Sequence, residues 1–285
     1  MKSVVISGAS SGVGKSMALK MASGGWLVYA GVRDNVSAKE LSNENAAIIP
    51  VMLDVTDEEQ LDKAVELIMS KIGNETLGGL VNNAGIAKIA PLSEQPMDEF
   101  IQHFNVVVFG SLRISQKLIP LLGGDKKRSG QPGRIVNITS VGGEVPSPFL
   151  GAYTASKHAL ESVTDTLRRE LVVYGIDSIS IGPGSVKTPI WKKAKGDNAP
   201  QRYSNSPWAS SIKKFLDVMI QGGEEGLAPE VIADVVYEAL AADKPKARYA
   251  PVPNKFINYT LLTTLPERWV DRIFWKKFGI DKASY

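Results

Sequence analysis

Tyr153 and Lys157 stand four residues apart, so on a helix they share one face, one turn from each other. A phenol with its ordinary pKa of about 10 is a poor base near neutrality. A neighbouring ammonium favours the phenolate and lowers that pKa. The pair has the make-up of a proton-transfer couple, although a surface tyrosine beside a solvated lysine would show the same spacing. Ser140 closes a β-branched apolar run upstream of Tyr153. A hydroxyl there can hydrogen-bond an oxygen beside the phenol and stabilise charge developing on it, or it can simply shape a turn. Thr139 would point to the other side of the same strand. Near the start, Ser7-Gly8-Ala9-Ser10-Ser11-Gly12-Val13-Gly14 links an apolar run to a helical stretch. Glycines let a backbone turn tightly and approach a pyrophosphate seated on the free N–H groups of a helix start. A tight structural turn also uses glycine, but the strand–loop–helix context is the one the phosphate reading requires.

These residues need elements to hold them. Short β-branched runs at Val4–Ser7, Leu27–Gly31, Ile48–Leu53, Gly79–Val81, Ile135–Thr139 and Ser178–Ile181 predict buried strands. Helical periodicity predicts helices over Lys15–Ser23, Asp57–Ile72, Met97–Leu121 and Thr154–Tyr174. Thr56, with Glu59 three residues on, is the expected cap of the second of these. The βαβα order implies an α/β fold with a parallel sheet covered on both faces, and ligands at the carboxyl ends of its strands. The expected organisation is a single Rossmann-fold domain over residues 1–285. Residues 1–188 form its core, 189–228 an irregular or helical substrate lid, and 249–285 a helical tail.

Composition narrows the chemistry. The chain has 285 residues, 44% of them hydrophobic, with 33 basic and 30 acidic residues for a net charge of +3. Neither that balance nor any long Lys/Arg run suggests a nucleic-acid partner. With no cysteine, and only His103 and His158 as imidazoles, thiolate chemistry is excluded and no metal site is expected. No basic-then-apolar leader and no apolar stretch long enough to span a bilayer is read, so the expected compartment is cytoplasmic.

The glycine spacing Gly8-x-x-x-Gly12-x-Gly14 joins with further motifs. Asn82-Asn83-Ala84-Gly85 follows the fourth strand and Ser140 ends the fifth. Tyr153-x-x-x-Lys157 opens the next helix, and Pro183-Gly184-x-Val186-x-Thr188 follows the sixth strand. In this order and spacing, over about residues 3–190, the chain resembles the short-chain dehydrogenase/reductase superfamily. The resemblance implies a Rossmann-type doubly wound sheet and hydride transfer between a nicotinamide and a carbonyl or alcohol. Ser140, Tyr153 and Lys157 would be its catalytic set, Tyr153 acting as acid in reduction and base in oxidation, and Lys157 also binding the nicotinamide ribose. The family's fourth member, an Asn, falls by ungapped count on Val107. Asn105 lies two residues earlier, about 200° round a regular helix, and could serve only where that helix is distorted. It is carried as a fourth candidate. The backbone carbonyl at Val107 could still hold the water that links Lys157 to solvent in the family.

The same resemblance distributes the cofactor contacts. Gly8, Ser10, Ser11, Gly12, Val13 and Gly14 would cradle the pyrophosphate, and Asp54 with Val55 would meet the adenine. Asn83, Ala84 and Gly85 would pack along the adenosine half. Pro183, Gly184, Val186 and Thr188 would reach the carboxamide and phosphates. The family's ribose-binding carboxylate position falls on Val32, followed by Arg33, whose guanidinium suits a 2′-phosphate. NADP(H) is therefore expected over NAD(H), with Asp34 the residue that could reverse the preference. Lys15, just past the loop, is read as a solvated lysine more readily than as a phosphate ligand.

Trp191, Trp208, Phe215 and Met219 suggest an apolar pocket or an apolar core. The layout is most like the steroid-, retinoid- and carbonyl-reducing branches, so a hydrophobic small-molecule substrate is expected. The tail Pro266–Phe278 places apolar residues at helical spacing with Arg and Lys between them. Such a helix packs on the body, at a homodimer or homotetramer interface, or peripherally on a membrane. A dinucleotide-binding regulator with little turnover is the rival reading, and Val107 alone supports it.

Overall fold

The computed structural model describes residues 2–188 and 198–280. Seven strands form one parallel sheet: β1 (Ser3–Ile6), β2 (Leu27–Val32), β3 (Ile48–Met52), β4 (Gly79–Asn82), β5 (Arg134–Ile138), β6 (Asp177–Ile181) and β7 (Arg248–Tyr249), in the order β3-β2-β1-β4-β5-β6-β7. Successive side chains leave a strand on opposite faces, and here both faces are buried. Val4 and Ile6 join a core with Met17, Met21, Val236 and Leu240, while Val5 joins one with Leu61, Ile68, Ile114 and Leu118. Burial on both sides is why these strands read as continuous apolar runs. Pro50 sits in the edge strand β3, paired in register with Ala30.

Helices α1 (Gly12–Ser23) and α2 (Asn35–Glu44) follow β1 and β2, and α3 (Glu58–Ile72) follows β3. The α3 cap is Asp57, which accepts from Gln60 N at 3.1 Å, not Thr56 as the sequence suggested. Thr56 is taken up by Asp54, which accepts from its N–H at 2.9 Å and its hydroxyl at 2.7 Å.

The expected helix Met97–Leu121 is interrupted. Helix α4 (Met97–Phe104) passes through a π turn, Asn105–Phe109, into α5 (Gly110–Leu118), and a second π turn covers Pro120–Gly124. Gly110 N–H bonds Asn105 O, five residues back. Helix α6 (Gly151–Glu170) carries Tyr153 and Lys157. The stretch Pro189–Gly226, read as irregular, contains a short helix Ala199–Arg202 and α7 (Ala209–Glu224). Helix α8 (Pro229–Ala241) covers the sheet opposite α3 and α5.

The tail ends in α9 (Glu267–Phe278). Phe274 and Phe278 hold it to the body, with Phe278 at 5.1 Å from Phe215, and Trp269, Ile273 and Trp275 stay exposed. No helix among the described residues is long and apolar enough to cross a membrane.

Candidate active site

The strand order reverses between β1 and β4, and the loops leaving these two strands meet there. Asn83 Nδ2 donates to Ser7 O and Gly8 O, each at 3.0 Å. Ser7 Oγ in turn accepts from Asn83 N and Ala84 N. The glycines are steric requirements. Gly8 has φ +65°, and a Cβ on Gly14 would lie 2.1 Å from Gly8 O. Ser11 caps α1 in extended conformation without a side-chain bond, and no acidic residue lies in the first turn. The N–H groups of that turn and the hydroxyls of Ser10 and Ser11, which make no hydrogen bond among the described residues, could hold a phosphate.

At the end of β2 two charges part company. Asp34 is the N-cap of α2, accepting from Ser37 N and Ser37 Oγ at 2.8 Å each. The backbone bond, then the hydroxyl, hold its carboxyl below the usual range. Arg33 is exposed and has no hydrogen-bond or ion-pair partner among the described residues. Lys15 is paired with Glu44 of α2 at 2.7 Å. Asp54 is half-buried at the end of β3, and Val55 packs so closely on Gly110 that a Cβ there would lie 2.6 Å from Val55 Cγ2.

Ser140 leaves β5 in extended conformation and opens a short 3₁₀ turn, Val141–Gly143, accepting from Gly142 N at 3.0 Å. Its hydroxyl is hydrogen-bonded to the Tyr153 phenol. Thr139 faces the other way and donates to Ile181 O at 3.0 Å. Lys157 is 5% exposed and donates to Ile138 O at 2.7 Å. Its Nζ lies 5.8 Å from the Tyr153 ring centroid, and a Cβ on Gly85 would be 3.8 Å from it. Burial pushes the Tyr153 phenol up, against the lowering effect of Ser140. Burial pushes Lys157 down, to about 8, with the Glu161 charge opposing. Ser140, Tyr153 and Lys157 thus converge at the carboxyl end of β5.

Asn105 lies on the π turn, and its side chain makes no hydrogen bond among the described residues. Val107 is fully buried against Leu160. The helix is distorted here, yet among the described residues Asn105 is not brought into a hydrogen bond with Tyr153 or Lys157. Beyond β6, Pro183 O accepts from Val141 N at 2.9 Å and Val186 forms a bridge with Leu227. Gly184 N bonds Pro251 O, and Thr188 is the last described residue before the gap. Trp191 lies outside the described residues.

Of the other apolar candidates, Phe215 is wholly buried. It forms a cluster with Ile89, Ala90, Phe149 and Leu150, on which Tyr153, Trp208 and Met219 pack. A cavity of about 890 Å³, bounded by Lys2, Trp26, Arg134 and Asp177, lies at the opposite end of the strands and contains none of these residues.

Two supports were not apparent from spacing. Asn82 Nδ2 donates to Asn137 Oδ1 at 2.8 Å and Ser115 Oγ at 3.0 Å, and Asn137 donates to Thr164 Oγ1 at 2.8 Å, tying β4, β5, α5 and α6 together. The signal was an asparagine inside each of two otherwise apolar strands. Glu99 of α4 accepts from Arg202 at 2.7 Å and Lys88 at 3.2 Å, joining the lid to the loop after β4. Burial raises the Glu99 carboxyl, but those two hydrogen bonds outweigh it and hold it low.

The chain is similar to known proteins in these same parts. A family model described as short chain dehydrogenase matches residues 2–199. A protein of Ornithobacterium rhinotracheale named NADPH-dependent 3-dehydrocapnine reductase is 38% identical over 277 residues, 97% of each chain. The solved structure of a short-chain dehydrogenase from Streptomyces avermitilis superposes with a TM-score of 0.74 at 25% identity, covering 98% of each chain. That of a 3-ketoacyl-(acyl-carrier-protein) reductase from Brucella melitensis complexed with NADH gives 0.71 at 27%, covering 88% of this chain and 96% of that one.

Proposed function

This chain belongs to the short-chain dehydrogenase family, and we propose that it is an NADPH-dependent reductase of a ketone or aldehyde on a hydrophobic small molecule, with Tyr153 as the acid. The observation that carries the reading is the Tyr153 phenol, hydrogen-bonded to Ser140 beside the buried Lys157. The helix start behind the glycine loop fits a dinucleotide pyrophosphate, and Arg33, without a partner among the described residues and beside a committed Asp34, fits the 2′-phosphate of NADP(H) rather than NAD(H). The O. rhinotracheale relative, named as NADPH-dependent, supports the same preference.

When bound, the nicotinamide supplies the hydride. Tyr153 keeps its proton at Oη, because burial favours the neutral phenol, and releases it to the substrate oxygen. Ser140 holds that oxygen beside the phenol and stabilises the charge developing on it. The Lys157 ammonium favours the phenolate that remains. The apolar cluster of Ile89, Phe149, Leu150 and Phe215 beside Tyr153 suits a hydrophobic substrate body.

The test is NADPH consumption over aliphatic, aromatic, steroid and retinoid carbonyls. Tyr153→Phe is expected to lose turnover by about 100-fold or more while NADPH still binds. Undiminished turnover in that variant would overturn the acid role. NADPH binding by the wild type without turnover on any carbonyl would favour a regulator instead.

A further inference from the structure

A cluster of charges behind Lys157 has no part in the mechanism above. Glu161 stands one helical turn beyond Lys157 on α6. Its Oε2 accepts from Arg248 Nη1 at 2.5 Å. Arg248, on β7, also pairs with Glu144, which follows the turn opened by Ser140. Tyr259 of the tail donates to Glu144 Oε2 at 2.7 Å. The cluster sits directly under the site: a Cβ on Gly182 would lie 3.2 Å from Arg248 Nη2 and 3.4 Å from Ser140 O. A Cβ on Gly143 would lie 3.2 Å from Lys157 O and 3.3 Å from Glu161 Cγ, so the Ser140 turn rests on this stretch of α6. Glu161 Oε1 is buried and carries no hydrogen bond.

A buried ammonium needs a counter-charge. Among the described residues, the one hydrogen bond of the Lys157 ammonium goes to a neutral carbonyl. Among the residues three or four positions away on its helix, Glu161 is the single carboxylate. Glu144 and Glu161 share one guanidinium, which leaves one negative charge for Lys157 to balance. We infer that Glu161 is a positioning residue for the reduction: clamped by Arg248, its carboxylate keeps Lys157 in the ammonium form that proton release by Tyr153 requires. This rests on the catalytic reading proposed above.

The titratable and charged groups around Lys157 are Tyr153 and Glu161 on its own helix, and behind Glu161 the linked Arg248 of β7, Glu144 beyond the Ser140 turn and Tyr259 of the tail. Burial, then Glu144, raises the Tyr259 phenol, and burial raises Tyr153. Both stay neutral where Lys157 loses its proton, at about 8. The alkaline limb of the NADPH-oxidation profile therefore reports Lys157.

The test is that profile at saturating NADPH and carbonyl for four proteins. Removing a negative charge disfavours the ammonium, so Glu161→Gln should move the limb to lower pH by roughly half a unit or more. Glu161→Asp should restore most of the shift. Arg248→Gln removes a positive charge and should move the limb to higher pH. A merely structural role would lower the rates and leave the limb in place, or move it the same way in both variants; either result overturns the inference. If Glu161→Gln does not fold, Arg248→Gln decides: a limb unmoved or displaced downward overturns it. Tyr153→Phe assayed alongside separates the two claims. Turnover in that variant sinks the catalytic reading, whereas an inactive Tyr153→Phe with an unmoved limb in Glu161→Gln sinks only the role of Glu161.

Discussion

Arg33 and Asp34 are neighbours of opposite charge just past the end of β2, where the proposed cofactor ribose would lie, and the fold gives them different tasks. Asp34 is committed to Ser37 as the cap of α2, so its carboxylate serves its own helix; Arg33 has no such partner among the described residues. A hydrogen-bonded charge is worth about 1.5–3 kcal/mol. Arg33→Ala is therefore expected to weaken NADPH binding by roughly ten- to a hundredfold and leave NADH nearly unchanged, as read by titration calorimetry. Equal losses for both would exclude a phosphate role. The convergence of Ser140, Tyr153 and Lys157 was legible at this scale because helix period and strand end fix their spacing. The division of labour between Arg33 and Asp34 was not, because it depends on where α2 starts. That helix buries only Leu41 and gives almost no apolar periodicity.

At the scale of elements, strands buried on both faces announce themselves, and six of the seven were legible as apolar runs. The seventh, β7, is two residues long and too short for any periodic signal. Helix α7 was missed because Trp208 caps it without a side-chain bond and a Pro- and Ser-containing stretch precedes it. The π turn at Asn105–Phe109 inserts its irregularity inside a run of valines, where the residue types are the same as in regular helix. Loops joined by side chains have more predictable energetics. The Asn83 side chain fastens the loop after β4 to the glycine loop at Ser7 O and Gly8 O, beside the backbone bonds from Asn83 and Ala84 to Ser7 Oγ. Asn83→Ala strips the partner from Ser7 O and Gly8 O, at a cost of about 1–3 kcal/mol. Thermal unfolding should show this loss, and NADPH affinity should fall on the order of tenfold because the phosphate seat is no longer held. Unchanged values in both measurements would mean that α1 and the backbone bonds to Ser7 Oγ hold the loop without the Asn83 side chain.

At the scale of the whole molecule, a parallel sheet with helices on both faces still ends in two open edges. One is β7, short and tied down through Arg248. The other is β3. Leu53 N–H reaches inward to Val32 O, so by the alternation along a strand the nitrogen of Pro50 points away from the sheet. An outward proline costs the sheet nothing, since it withholds only a donor that no neighbour in the molecule uses. What it denies is a foothold to a second molecule, which would need that donor to extend the sheet. Pro50→Val should accordingly keep fold and turnover while increasing light scattering on storage at high concentration; a variant as clear as the wild type would show that the edge is guarded by other means. Resistance to edge-to-edge pairing of sheets is thus served in part by one ring at the rim, remote from Ser140, Tyr153 and Lys157.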